Sequence, residues 1–364
     1  MYDDGTRRPA MPISPLSPHS PGARPAPALK RRSAPRRRTA WALAAALTTG
    51  LLAGCGTQES GVAPDADARA QAEGFPVTIE NCGTRTTYQE PPSRAVTIHQ
   101  HPAELMLALG LQDRMVGTAF PDSAVLPQYA DAFGAIPELA EREPSFETVL
   151  EAEPDFVYGG YGSAFDEKEG RSRRAFSDAG IDTYLNREYC GEDEVHIADA
   201  YDEIRTVGSI FGVDERAEKL VAELKARVDE ATSAVDGVDP VSVFVYDSGD
   251  KAPFTAGGKG LGTEIIRLAG GRNVFDDLDE VFGDASWEQV VARKPEVIAI
   301  YDYAGSGSVE EKKEFLLAQP ALADVPAVRD RRFVVLPLTA TLVGVRPPLA
   351  VEEIAQALHP ERFA

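Results

Sequence analysis

His99 and His101 stand two apart in Ile98-His99-Gln100-His101, the spacing at which two imidazoles on a strand share one face and can hold a transition metal. Asp247 or Asp302 from a second element would extend the pair to a free-ion site. Histidine is scarce, however: beyond residue 54 the only others are His196 and His359, which lie elsewhere in the pattern. No metal ligand is therefore assigned and no cofactor is called for. The pair reads as a hydrogen-bonding wall, with an axial ligand to heme as the alternative. A second group is aromatic and cationic: Tyr158, Tyr161, Phe165, Phe254, Tyr301, Tyr303, Arg187 and Arg346, with Gln100 and Asp247 beside them. Aromatic walls bury area without many fixed hydrogen bonds, and arginine offers a planar fork to oxygen ligands. Such a set suits a bulky solute with an apolar rim and a few oxygens; the plainer reading is that several of these side chains only close an interface. Catalysis has less to stand on. No Gly-x-Ser-x-Gly elbow, Cys-x-x-Cys pair or His-Glu-x-x-His helix occurs, and Thr255-Ala-Gly-Gly-Lys-Gly260 lacks the ending of a phosphate loop and reads as a turn.

What groups these residues is their position just after apolar runs. One pattern occurs twice: Ser145-Phe-Glu-Thr-Val-Leu150 leads through Pro154 into Asp155-Phe-Val-Tyr158, and Ser286-Trp-Glu-Gln-Val-Val291 leads through Pro295 into Glu296-Val-Ile-Ala299. Each is a serine N-cap, a short amphipathic helix, a proline that cannot continue it, then a strand. A second feature recurs in the same order, Glu104-Leu-Met-Leu-Ala-Leu-Gly110 and Glu264-Ile-Ile-Arg-Leu-Ala-Gly270, a helix closed by glycine. Each copy follows a strand-like run, 94–98 and 241–246. Duplicated strand and helix alternation predicts an α/β fold with a mostly parallel sheet in each half. Between the halves, Ile204, Val207, Ile210, Leu220, Val221 and Leu224 keep helical spacing. The stretch 215–235 reads as one long helix, roughly 30 Å by the rise per residue. Ligands in such sheets lie beyond the carboxyl ends of the strands, which is where the candidate residues fall.

The ends bound the setting. Lys30, Arg31, Arg32 and Arg36 to Arg38 precede an apolar run from Ala40 to Ala53, a bacterial export signal too short to remain as a membrane span. It closes in Leu52-Ala53-Gly54-Cys55, which resembles a lipobox whose cysteine carries the lipid. Residues 56–74 read as a flexible tether. Residues 1–54 hold nine of the 37 Lys/Arg and two of the 58 Asp/Glu, so the remaining chain has a formal charge of −28. That balance offers no phosphate-tracking surface and excludes nucleic acid as the natural partner. In an oxidising compartment the two remaining cysteines, Cys82 and Cys190, imply a disulfide, with two buried thiols as the alternative.

Pro92-Ser-Arg-Ala-Val-Thr-Ile98, Glu104 to Leu111, Val116-Gly-Thr118, Pro144 to Tyr158 and Arg332-Phe-Val-Val-Leu-Pro-Leu338 together resemble the ABC-importer substrate-binding proteins for ferric siderophores, heme and cobalamin. The resemblance runs from about Val77 to Pro360. It implies two Rossmann-like lobes joined by one long helix, with the ligand in the cleft between them. On that reading residues 1–54 are extension and lipoprotein signal, 55–75 the lipidated cysteine and tether, 76–191 the N-terminal lobe, 192–236 a helical linker and 237–364 the C-terminal lobe. It further implies that a glutamate on each lobe, here Glu147 and Glu288, docks onto the permease. The expected protein is a monomeric, extracytoplasmic binding lipoprotein on the outer face of the cell membrane that delivers an iron(III) siderophore to permease and ATPase subunits and performs no chemistry. Heme, cobalamin or a free metal ion is the alternative within the family; a chelatase or hydrolase is the alternative outside it.

Overall fold

Strand and helix alternation after residue 94 forms two separate parallel sheets. The computed structural model describes residues 74–191, 194–303 and 305–364; the export signal, Cys55 and the tether through residue 73 lie outside the described residues. An antiparallel hairpin comes first, β1 (Val77–Asn81) and β2 (Thr84–Tyr88). The first sheet follows: β3 (Ala95–Ile98), β4 (Met115–Ala119), β5 (Glu138–Ala140), β6 (Phe156–Gly159) and β7 (Asp182–Leu185), all parallel, in the order β5-β4-β3-β6-β7. The second half adds β8 (Val241–Tyr246), β9 (Phe254–Ala256), β10 (Gly271–Asn273), β11 (Phe282–Asp284), β12 (Val297–Asp302) and β13 (Phe333–Pro337). Of these, β10-β8-β12-β13 form a parallel sheet, while β9 and β11 pair antiparallel beside it.

Both parallel sheets are covered on two faces, so their central strands are apolar throughout rather than alternating with polar residues. Phe156 and Tyr158 of β6 enter one core while Val157 enters another; Val243 and Val245 of β8 face one core, Phe244 and Tyr246 the opposite one. The duplicated segments take the same form in each half. Ser145 and Ser286 cap the helices Phe146–Glu151 and Trp287–Arg293 by accepting from the backbone N–H of Thr148 and Gln289. Gly110 and Gly270 follow the helices Gln100–Ala108 and Leu261–Leu268 at φ +68° and +76°, the left-handed cap that glycine adopts without strain.

The chain passes between the halves through the helices Ile197–Ile210 and Asp214–Ala234. The second has 21 residues, and its buried stripe is divided. Ala217, Val221 and Leu224 belong to the core of the first sheet, Val228 and Ala231 to that of the second. One stiff rod of roughly 30 Å is thus packed into both sheets. Cys82 and Cys190 form a disulfide spanning 108 residues. It fastens the β1–β2 hairpin to the end of β7, where Asn81 also exchanges hydrogen bonds with the backbone of Leu185 at 2.7 and 2.9 Å. No described helix is long and apolar enough to cross a membrane.

Candidate ligand cleft between the sheets

The segment Thr339–Gly344, after β13, is the seam at which the two halves meet. Val343 donates its backbone N–H to Glu188 at 2.7 Å and its carbonyl accepts from Asn186 at 2.8 Å. Ser123 and Thr339 share a hydroxyl contact at 3.3 Å. Arg346, first residue of the helix Arg346–Leu358, reaches across to Glu104 with two bonds of 2.6 Å and also donates to the carbonyl of Ala124. Burial pushes the Glu188 carboxyl up to about 7, and the Val343 N–H opposes that rise only in part.

Two cavities open along this seam. The larger, about 800 Å³, is lined by the loop 121–127 on one side and by Asp302, Tyr303, Gly305, Gly307, Pro337 and Arg346 on the other. The smaller, about 310 Å³, lies between Glu188, Tyr189, Gly191 and Val195 and the second-half residues Lys259, Val281, Phe282 and Tyr301, among others. Three large apolar side chains are exposed among the described residues, and two of them, Tyr189 (38 %) and Val281 (44 %), line the smaller cavity. Exposed aromatic surface in a concave site is the ordinary mark of a ligand wall.

Tyr161 touches one lining residue of each cavity. Its ring lies 5.5 Å from that of Tyr189 on one side, and its hydroxyl donates to Asp122 at 2.8 Å on the other. Behind it stand His99 and His101, with ring centroids 4.4 and 5.1 Å from Tyr161. The two imidazoles do not share a strand face. His99 leaves β3 at φ 80°, ψ 162°, and the next helix begins at Gln100, so the His-x-His reading fails on geometry. That backbone region is close to glycine-only and costs of order 1–3 kcal/mol for a side chain. Gly160 is required here, because a Cβ at that position would sit 2.5 Å from the His101 ring. Burial drives His99 down to about 3 and His101 to about 4, so both rings are neutral near pH 7. His99 Nε2, both nitrogens of His101 and both amide atoms of Gln100 are buried with no hydrogen-bond partner among the described residues. No group of three or more His, Cys, Asp or Glu among the described residues is placed to hold a metal ion.

On the facing wall Tyr303 donates its hydroxyl to Asp247 at 2.8 Å, which pushes the phenol up to about 12, burial being the larger cause. Phe254 stacks on Phe282 at 6.0 Å, and Phe282 meets Tyr301 edge-on at 6.2 Å. The structure thus brings Tyr161, Tyr303, Asp247 and Phe254 to the seam or its facing wall, with His99 and His101 behind and Tyr301 as a buried backing of the smaller cavity.

Other candidates lie elsewhere. Tyr158 is fully buried and bonds Glu203, which also accepts from Tyr184, so it is a core residue. Phe165 packs on Phe176 beneath the first sheet. Arg187 faces Asp199 and Asp202 at 3.1 and 3.5 Å, in a separate depression beside the disulfide. Arg346 lines the larger cavity, but its guanidinium is committed to Glu104. Residues absent from the sequence-based set are Asp122, Tyr189 and Phe282. Asp122 follows β4 by three residues and Tyr189 follows β7 by four, so the post-strand rule, carried further along each loop, points to both. Phe282 shows no such signal, since it reaches the site through the β9–β11 pairing.

Residues 96–340 match the model of the family described as periplasmic binding protein. The chain belongs to that family. Over 90 % of its length and 99 % of the relative's, the binding protein is 25 % identical to the uncharacterized ABC transporter substrate-binding lipoprotein YvrC of Bacillus subtilis (strain 168). Its fold matches that of a periplasmic binding protein from Veillonella parvula DSM 2008 with a TM-score of 0.70 and 28 % identity, covering 78 % of this chain and 97 % of the other. An ABC-type Fe3+-hydroxamate transport system protein from Saccharomonospora viridis DSM 43017 gives 0.65 and 26 %, over 78 % and 99 %. The binding protein is therefore α/β with mostly parallel sheets, like these neighbours.

Proposed function

We propose that the protein is the lipid-anchored solute receptor of an ABC importer, held by Cys55 to the outer face of the membrane, and that its solute is an iron(III) chelate of the siderophore type. The observation that carries this reading is the pair of seam cavities, walled by Tyr189, Tyr303 and Phe282 with Tyr161 packed against Tyr189, and presented by two sheets on a common rod. Aromatic faces accept the periphery of a bulky chelate, while hydroxyls and carboxylates at the seam meet its oxygens or amines. The relatives named above, one a substrate-binding lipoprotein and one of an Fe3+-hydroxamate transport system, support the same assignment.

Delivery requires a surface the permease can grip. Glu147 and Glu288 are both exposed and occupy the second position of equivalent helices in the two halves, which suits them to a paired docking role. The double variant Glu147→Ala/Glu288→Ala is expected to bind solute normally and to lower uptake in cells.

Titration of intrinsic fluorescence with ferric siderophores, hemin and cobalamin tests the solute. Quenching by a ferric siderophore at micromolar concentration is the expected result. Quenching by hemin or cobalamin alone sinks the siderophore assignment.

A further inference from the structure

We infer that the cleft selects chelates of zero or positive net charge and rejects anionic ones, because its larger cavity presents two carboxylates from opposite walls while the one cation lining it is already matched by a buried carboxylate. This rests on the solute-receptor reading above and deepens it.

The charged side chains lining the larger cavity are Asp122, Asp302 and Arg346. The charge of Arg346 is already matched by a buried carboxylate, although its second terminal nitrogen has no hydrogen-bond partner among the described residues. Its Nε and one terminal nitrogen meet the two oxygens of Glu104, and the same terminal nitrogen bonds the carbonyl of Ala124. Glu104 is fully buried and Arg346 is 7 % exposed, so drawing the guanidinium toward a solute would strand a buried carboxylate. Other cations near the seam are also engaged, Lys312 by neutral acceptors only and the rest with carboxylates. Lys312 donates to the Tyr301 carbonyl at 2.6 Å and to Ser306 at 2.9 Å. Arg171 binds the carbonyls of Pro144 and Ser163 and faces Glu143, and Arg187 faces its two aspartates. Lys259, on the smaller cavity, is paired with Asp279 at 2.9 Å, and Glu188 lines the same space.

The acids are differently placed. Asp122 accepts from Tyr161 and, at 3.3 Å, from the backbone of Gln100, both neutral donors. Asp302 is exposed and has no ion-pair or hydrogen-bond partner among the described residues. Asp122 has no ion-pair partner among the described residues, Lys312 is a single positive charge shared electrostatically between Asp302 and Asp247, and Asp122 and Asp302 line one cavity from opposite walls. The buried wall behind Tyr161 adds no positive charge, since His99 and His101 are neutral near pH 7. In an effective dielectric of about 20–40, one charge about 7 Å away changes affinity roughly tenfold or more, with opposite sign for opposite ligand charge. The preference should weaken with ionic strength as the half-open site is screened.

The test holds the iron centre fixed and varies only distant charge. The probes are the ferric complex of a linear trihydroxamate with a free terminal amine, its N-acetyl form and its N-succinyl form, which are cationic, neutral and anionic. Each is titrated against the full chain in detergent by fluorescence quenching at low and high salt. The expected affinity order is amine, acetyl, succinyl, with roughly tenfold loss per step at low salt and compression at high salt. Asp122→Asn and Asp302→Asn should each narrow the spread, the second without touching any internal bond. Equal affinities, or tighter binding of the succinyl form, overturn the charge inference and leave the siderophore reading intact. If none of the three nor a ferric catecholate quenches while hemin or cobalamin does, the siderophore reading falls and takes this inference with it.

Discussion

Glu104 and Glu264 occupy equivalent places, near the start of the helix that ends in Gly110 in one half and in Gly270 in the other, yet they do different work. Glu104 is fully buried and joins its half to the other by gripping Arg346 at the start of the helix Arg346–Leu358. Glu264 is partly exposed and accepts from the backbone N–H of Ile197 at 2.8 Å, at the start of the helix Ile197–Ile210, which packs into the first core. Each glutamate thus holds the first turn of a helix belonging to the opposite half. The difference is one of solvent: the buried latch is a two-bond ion pair across the seam, while the exposed one meets a backbone donor across it, with His196 nearby at 3.4 Å and a local surface pair to Arg267 at 3.4 Å. The position recurs in both halves, and burial separates the chemistry.

Breaking the buried latch should have the largest effect. Glu104→Ala leaves the Arg346 guanidinium buried without its carboxylate, a loss of about 3–5 kcal/mol that thermal or urea unfolding would register. Glu264→Ala removes a cap-like acceptor and a surface ion pair with Arg267, and should cost about 1 kcal/mol. Similar losses for the two variants would mean that the latches are not distinguished by burial.

A smaller effect comes from the third cross-seam contact. The Glu188 carboxyl sits at about 7 in the folded protein, above its ordinary value near 4.5, because it is buried. A raised carboxyl favours the fold fully below the ordinary value and loses that contribution as pH rises through about 7. Glu188→Gln keeps an acceptor for Val343 and removes the ionisation, so its melting temperature should fall less between pH 5 and 8 than that of the parent. Glu203, likewise raised to about 7 by burial, maintains a residual slope in both proteins. His99 and His101 act in the opposite direction, since depressed imidazoles favour the fold above their ordinary value near 6.5 and cost stability as pH falls toward 4 and 3. An identical pH slope in parent and variant would remove Glu188 from the seam's titration.

The sequence made the architecture readable because its signals are local. Serine caps, αL glycines and the proline after each short helix depend on neighbours a few residues away, and the apolar stripe of Asp214–Ala234 follows helical spacing alone. The site was less readable because its decisive partners are distant. Arg346 finds Glu104 across 242 residues, and Arg187 is taken by Asp199 and Asp202 on a helix that packs beside it. Nothing near either arginine announces that its charge is already committed. A strand ending at Tyr158 would put its ring on the wall, yet β6 runs on through Gly159 with helices on both faces, so the ring is buried beside Glu203. The loop after β4, with no aromatic or basic cluster to mark it, carries Asp122 and the first-half wall of the larger cavity.

The claim beneath all of this is that solute is held in the gap between the two sheets. The most direct measurement is a crystal structure with a ferric trihydroxamate, locating iron by anomalous scattering. An iron peak between the 121–127 loop and the Asp302–Gly307 segment is the predicted result; a peak on an outer face, or in the depression beside Cys82–Cys190, contradicts the account.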